Sequence, residues 1–154
     1  MIKPYVKIPK TVDAKLELTE NLRFVATTGS KHQIILDASP EHGGGDSGAR
    51  PMEALLSSLG SCTGMDLATI LRKKKRDLQA LKINIHGERT NQHPHTFKTI
   101  TMEYLIWGPD ITDQDVQWAL DLSLNKYCSV AAMLKKSCTI NYRWRIHKKA
   151  KAVS

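Results

Sequence analysis

The sequence predicts an α+β fold in a single domain, with elements in the order βββ-α-ββ-α-α-β. Three observations predict it. Strand-like segments gather three together before the first helix, instead of alternating with helices one for one. One long helical pattern then runs from Pro51 to about Lys75. Period-two alternation returns in three later segments, the last of them near the C-terminal end.

Each element has its own signal. Lys15–Thr19 alternates, and Leu22–Thr27 follows a turn signal at Glu20-Asn21. His32–Asp37 carries the apolar run Ile34-Ile35-Leu36. The polar loop Ser39–Arg50 contains Gly43-Gly44-Gly45, which lacks the Gly-Lys-Ser/Thr ending of a phosphate loop and reads as a flexible lid or linker. Pro51 suits the first helical position, where its missing N–H leaves no bond unmade. The helix that follows is a rod of about 37 Å at about 1.5 Å per residue. Met52, Leu55, Leu56, Leu59, Cys62, Leu67, Ile70 and Leu71 fall on one broad side, and Ala54, Ser57, Gly60, Ser61, Gly64 and Ala68 on the other. Small residues permit close backbone approach, so burial on both sides is expected, with a subunit partner as one candidate neighbour.

Leu81–Glu88 and Phe97–Trp107 alternate next, and Gly108-Pro109-Asp110 ends the second. Thr112, with Asp115 three residues on, predicts the capped start of a helix running to about Tyr127. Ser129 is the predicted cap of a short helix through Lys135. Ser137–His147 reads as a closing strand with Cys138, Ile140, Tyr142, Trp144 and Ile146 on one face. The core is expected over about 14–147, followed by a basic tail, 148–154.

A chain of 154 residues can bury a core without disulfide staples. The net charge of +8 would suit a nucleic acid, but it is dispersed. Its clear runs, Lys73–Arg76 and His147–Lys151, read as a solvated helix end and a frayed tail. No basic stripe with interleaved aromatics is present, so a nucleic-acid partner is not expected. No apolar stretch approaches the roughly 18–20 residues of a bilayer span. The start MIKPYVKIPK lacks the apolar core of a signal peptide, and three cysteines are an odd number for a secreted disulfide framework. The expectation is a cytoplasmic protein.

The thiols carry the functional signal. Cys62 lies about eleven residues inside its helix, beyond the reach of the helix dipole, so a reactive thiolate there needs a cation brought from elsewhere, and an arginine suits. Cys128, just before Ser129, stands at the positive end of the short helix, a location that favours thiolate character. Cys138 reads as strand packing. Taken singly, Cys62 and Cys128 are open between packing and chemistry. Asp66, one turn after Cys62, reads as a buried carboxylate with a hydrogen-bond partner or as a positioning group. His93 and His95 lack further ligands at metal spacing, so no metal is expected. His42 is a candidate base that no spacing fixes.

Pro51-Met52-Glu53-Ala54-Leu55-Leu56, Gly60-Ser61-Cys62-Thr63, Asp66 and Lys126-Tyr127-Cys128-Ser129-Val130 together resemble the OsmC/Ohr family, the osmotically inducible protein C and organic hydroperoxide resistance group. The resemblance covers roughly Leu16 to Ile146. It implies an OsmC-like fold in an intertwined homodimer, with long central helices back to back and sites at the subunit interface. It implies that the Cys62 thiolate attacks the O–O bond of an organic hydroperoxide. Cys128 then condenses with the sulfenic acid, and an external dithiol restores both thiols without metal or organic cofactor. Peroxidatic members carry, ten positions before the reactive cysteine, a glutamate that orients an arginine. Met52 holds that position here, and the Pro-Met-Glu form resembles the YhfA-like branch. Arg23 is the arginine the resemblance points to, with Arg50 and Arg89 as rivals. Two functions are open: reduction of organic hydroperoxides in oxidative-stress defence, or small-molecule binding by a stress-response relative with weak or no peroxidase activity.

Overall fold

A computed structural model describes residues 8–149 and divides the chain into two compact units after Ala54. The element order is the predicted one. In the first unit, β1 (Ala14–Glu20), β2 (Arg23–Thr28) and β3 (Gln33–Leu36) form an antiparallel sheet in that order. The expected turn is tight: Asn21 takes φ 46, a left-handed conformation that asparagine tolerates. Leu16 pairs with Ala26, Leu18 with Phe24, Phe24 with Leu36 and Ala26 with Ile34, so one face of this sheet is apolar. Within the chain much of that face is exposed, Leu18 to 57%.

The glycine-rich loop is tied down rather than left as a bare linker. Asp37 is buried, and its carboxylate accepts four hydrogen bonds: from the N–H groups of Ala38 (2.8 Å), Gly45 (3.2 Å) and Ser47 (3.0 Å), and from the Ser47 hydroxyl (2.8 Å). The Ser47 N–H and hydroxyl above all hold its pKa down at about 2. The loop contains a single 3-10 turn, Pro40–His42. A Cβ on Gly44 would lie 2.0 Å from the Ala38 carbonyl oxygen, so only glycine fits there.

The long helix α1 (Pro51–Lys73) begins at the predicted proline, with its first residues in the first unit and those from Leu55 onward in the second. Glu53 Oε2 accepts the Arg50 N–H at 2.9 Å, closing the helix start. Its far end stops two residues short of the prediction, because Lys75 turns left-handed (φ 58) and the Arg76 N–H closes on the Leu71 carbonyl. β4 (Ala80–Arg89), β5 (Phe97–Trp107) and β6 (Thr139–His147) form a second sheet in that order, with β5 and β6 parallel. Ile100, Met102, Tyr104 and Ile106 on β5 are fully buried, and Ile100, Met102 and Ile106 each contribute about 1.5–3 kcal/mol.

The small face of α1 meets this sheet. A Cβ on Gly60 would lie 2.4 Å from Ile85 Cδ1, and one on Gly64 2.7 Å from Ile83 Cδ1. The close approach expected of a subunit partner is therefore made, at these two glycines, by β4 of the same chain. Thr63 Oγ1 accepts the Tyr104 hydroxyl at 2.8 Å in the same layer. Contrary to the expectation of no span-length apolar stretch, α1 has the length and hydropathy to cross a bilayer. Its residues Leu59, Thr63, Leu67 and Leu71 are instead fully buried in protein.

The second helix, α2 (Asp113–Leu122), carries the predicted capping box, with Thr112 and Asp115 bonded reciprocally. It lies against β6: Trp144 Nε1 donates to Asp113 Oδ1 (2.8 Å) and the Tyr142 hydroxyl to Asp121 Oδ1 (2.9 Å). The basic run after α1 is only partly solvated. Lys74 Nζ lies 2.6 Å from Asp115 Oδ1, and Arg76 Nε lies 2.8 Å from Oδ2 in an ion pair without hydrogen-bond alignment. Burial pushes the Asp115 pKa up, but Lys74, Thr112 and Arg76 outweigh it and hold the carboxyl well below its usual range. Beyond Leu122 the chain makes a π-type turn, Ser123–Tyr127, and then α3 (Ser129–Leu134). Cys138 is not on the strand as predicted. It precedes β6, where its N–H and thiol both donate to the Leu134 carbonyl, because the end of α3 offers unpaired carbonyls. Of the predicted basic tail, 150–154 lie outside the described residues; Lys148 Nζ donates to the Ile111 carbonyl.

Candidate functional site: a two-thiol and carboxylate cluster

The second unit brings Cys62, Asp66 and Cys128 together. Both sulfurs and a carboxylate oxygen of Asp66 lie within 4.8 Å of one another. Cys62 and Asp66 share a face of α1 because they are four residues apart. Cys128 reaches them through the π-type turn. Its N–H donates to the Ser123 carbonyl, five residues back, at 2.8 Å. The fully buried Ser123 also donates its hydroxyl to Asp66 Oδ2 at 2.8 Å. One serine thus fixes both the carboxylate and the backbone of the second thiol. Asp66 has the structural partner the sequence suggests, and it stands beside the thiols as well.

Two expectations about Cys128 need correction. Ser129 does not cap α3; Cys128 does, with its sulfur accepting the Ala131 N–H at 3.3 Å. Nor does the helix start leave it as a ready thiolate. Cys128 is 2% exposed, and burial, with the hydrogen bond to the Cys62 thiol, pushes its pKa up to about 11 against the pull of the Ala131 and Val130 amides. Cys62 is half-buried, so it is the more accessible thiol of the two. Cys138 makes its contacts at the end of α3 and does not belong to the cluster.

The arginines have local partners. In the first unit, Arg23 Nη1 donates to Thr19 Oγ1 at 3.0 Å across the β1–β2 turn. Arg50 bonds to the Asp46 carboxylate and the Gly48 carbonyl. In the second, Arg89 Nε donates to the His95 carbonyl at 2.6 Å. His42 pairs with Ser39 Oγ at 2.9 Å. The His93 and His95 rings are 4.0 Å apart, and among the described residues no third metal-ligating side chain joins them. The first unit also holds a mostly apolar pocket of about 580 Å³, lined among others by Leu16, Leu22, Phe24, Leu36, His42 and Arg50.

Sequence reasoning missed Ser123 and Asp37. Ser123 falls inside the helix predicted to run to about Tyr127, and the π-type turn that redirects it has no local signature. Asp37 ended a strand pattern, and the glycines it organises lie eight and more residues away.

The OsmC-like protein family model matches residues 43–143. Protein YhfA of Escherichia coli is 33% identical over 135 residues, covering 88% of this chain and 98% of YhfA. The crystal structure of a hypothetical protein from Aquifex aeolicus aligns with a TM-score of 0.79 at 32% identity, over 90% of this chain and 98% of that one. An organic hydroperoxide resistance protein from Legionella pneumophila shares the fold at 13% identity, with a TM-score of 0.66 over 90% of this chain and 98% of its own.

Proposed function

We propose that this chain, which belongs to the OsmC-like protein family, reduces organic hydroperoxides with Cys62 and Cys128 as a reversible dithiol pair. The observation that carries the reading is the approach of the two sulfurs to within 4.8 Å. A disulfide needs the sulfurs at about 2.0 Å, so oxidation draws the pair closer together. Cys62, the more accessible, is the attacking thiol. Its thiolate displaces alkoxide from the hydroperoxide, forming a sulfenic acid, and the alkoxide takes a proton to leave as the alcohol. The Cys128 sulfur then attacks the Cys62 sulfur; the disulfide forms and water leaves. Burial suits Cys128 to this second role, since a thiol kept protonated does not compete for peroxide. An external dithiol in a reducing cytoplasm returns both thiols.

The cationic activation that a peroxidatic thiolate needs is assigned to Arg23. The subunit arrangement is a homodimer, for which the exposed apolar face of the β1–β2–β3 sheet provides a covering interest: Leu16, Leu18 and Ile34 on it are about half exposed in the lone chain. Met52 stands at the position of the family's orienting glutamate, and Glu53 Oε2 accepts the Arg50 N–H at the helix start, so neither residue is assigned to orient Arg23.

The experiment is hydroperoxide consumption with cumene or tert-butyl hydroperoxide under dithiol turnover. The wild type turns over, Cys62→Ser abolishes turnover, Cys128→Ser stalls at the sulfenic acid, and Arg23→Ala slows the first step. Wild-type consumption no faster than that of Cys62→Ser overturns the reading. The apolar pocket of about 580 Å³ in the first unit favours a second reading, small-molecule binding without peroxide turnover.

A further inference from the structure

We infer that the reduced Cys62–Asp66–Cys128 cluster binds a thiophilic divalent cation of the Zn²⁺ class, with two thiolates, one carboxylate oxygen and one water as ligands. The site goes beyond the redox reading and stands on geometry that reading does not need, because disulfide chemistry uses two sulfurs and no carboxylate. Tetrahedral coordination at about 2.3 Å to sulfur and about 2.0–2.2 Å to oxygen places ligand atoms roughly 3.5–3.8 Å apart. The bound of 4.8 Å shared by all three atoms accommodates this with small side-chain adjustments. Two sulfurs select a soft or borderline ion over Mg²⁺ or Ca²⁺, and the carboxylate supplies a third ligand without further thiols.

The surroundings are those of a supported ligand set. Ser123 holds Asp66 through Oδ2 and anchors the Cys128 backbone through its carbonyl, so two of the three ligands are oriented by one buried residue. Ligands from α1 and from the turn before α3 are brought together by the fold itself. Binding forms two sulfur–metal bonds as each thiol releases one proton to water, with no change in oxidation state. The same sulfurs cannot then form a disulfide, so metal and disulfide are mutually exclusive states of the pair.

The test is anaerobic titration of the reduced full chain with Co²⁺, read by the thiolate-to-cobalt charge-transfer band, followed by displacement with Zn²⁺. The wild type takes up one equivalent and Zn²⁺ removes the band. Cys62→Ser and Cys128→Ser lose the band, Asp66→Asn and Ser123→Ala weaken binding by about 10–100-fold, and Cys138→Ser changes nothing. Wild-type protein oxidised to the disulfide binds no Co²⁺, a comparison independent of how any variant folds. Equal binding by reduced and oxidised wild type, or unchanged affinity in a folded Asp66→Asn, overturns the site. No peroxide enters the measurement, so its failure is distinguishable from failure of the hydroperoxide reading.

Discussion

Ser123 donates its hydroxyl to Asp66 across 2.8 Å while its carbonyl receives the N–H of Cys128. This residue couples the long helix to the turn that carries the second thiol. Ser123→Ala leaves a part-buried carboxylate without that donor, at a cost of about 1–3 kcal/mol. The same change keeps the backbone carbonyl that holds the Cys128 N–H, so the rate of disulfide closure is expected to stay close to that of the wild type. Urea unfolding and the rate of disulfide closure check the two expectations separately; Ser123→Thr, which keeps a hydroxyl, restores part of the stability.

The acidic end of the stability profile is set in part by Asp37. Its pKa is lowered from the ordinary 3.8 to about 2, chiefly by the Ser47 N–H and hydroxyl. A carboxyl with a depressed folded pKa contributes stability above its unfolded pKa and loses it as pH falls through the folded value. The contribution is therefore complete above about pH 4 and disappears towards pH 2. In acid titrations, the stability difference between wild type and Asp37→Asn should shrink over that window. A difference that stays constant from pH 6 to pH 2 contradicts the assignment.

Backbone crowding, not conformational freedom, makes Gly44 obligatory. An alanine Cβ would meet the Ala38 carbonyl oxygen and carbon at 2.0 Å and 2.4 Å, and these atoms cannot swing aside as a side-chain tip can. Gly44→Ala is expected to destabilise by about 1–3 kcal/mol or more. Increased proteolysis within 39–50 would report the same displacement.

Asp115 serves two cations and a helix start at once. Asp115→Ala removes the capping box, worth about 1 kcal/mol, and leaves Lys74 and Arg76 without their shared anion. The two cations are each about a third exposed, which limits the electrostatic part, so the total is about 2–3 kcal/mol. Lys74→Ala and Arg76→Ala should each cost under about 1 kcal/mol, because the other cation still pairs with Asp115. Thermal unfolding of the three variants gives the ranking.

The order of elements was legible in the sequence because it rests on periodicity, and the range Phe97–Trp107 matches residue for residue. Local capping chemistry was legible too, at Pro51 and at Thr112 with Asp115. The balance between a helix dipole and burial was not. At Cys128 the sequence shows the helix start but not the fully packed surroundings, and burial dominates. The Gly60 and Gly64 face announced close packing without naming its partner, which is β4. The basic run Lys73–Arg76 looked solvated because Asp115 lies about forty residues away in the chain, and only the fold brings them together. The proximity of Cys62 and Cys128 is likewise a product of tertiary structure, suggested beforehand by family resemblance rather than by spacing.

The central claim is that Cys62 and Cys128 form one redox unit. Its most direct measurement is peptide mapping by mass spectrometry after the reduced protein meets one equivalent of an organic hydroperoxide. The account predicts a single Cys62–Cys128 disulfide, with Cys138 still a free thiol. Three free thiols after the peroxide, or a disulfide that involves Cys138 in place of Cys128, would contradict it.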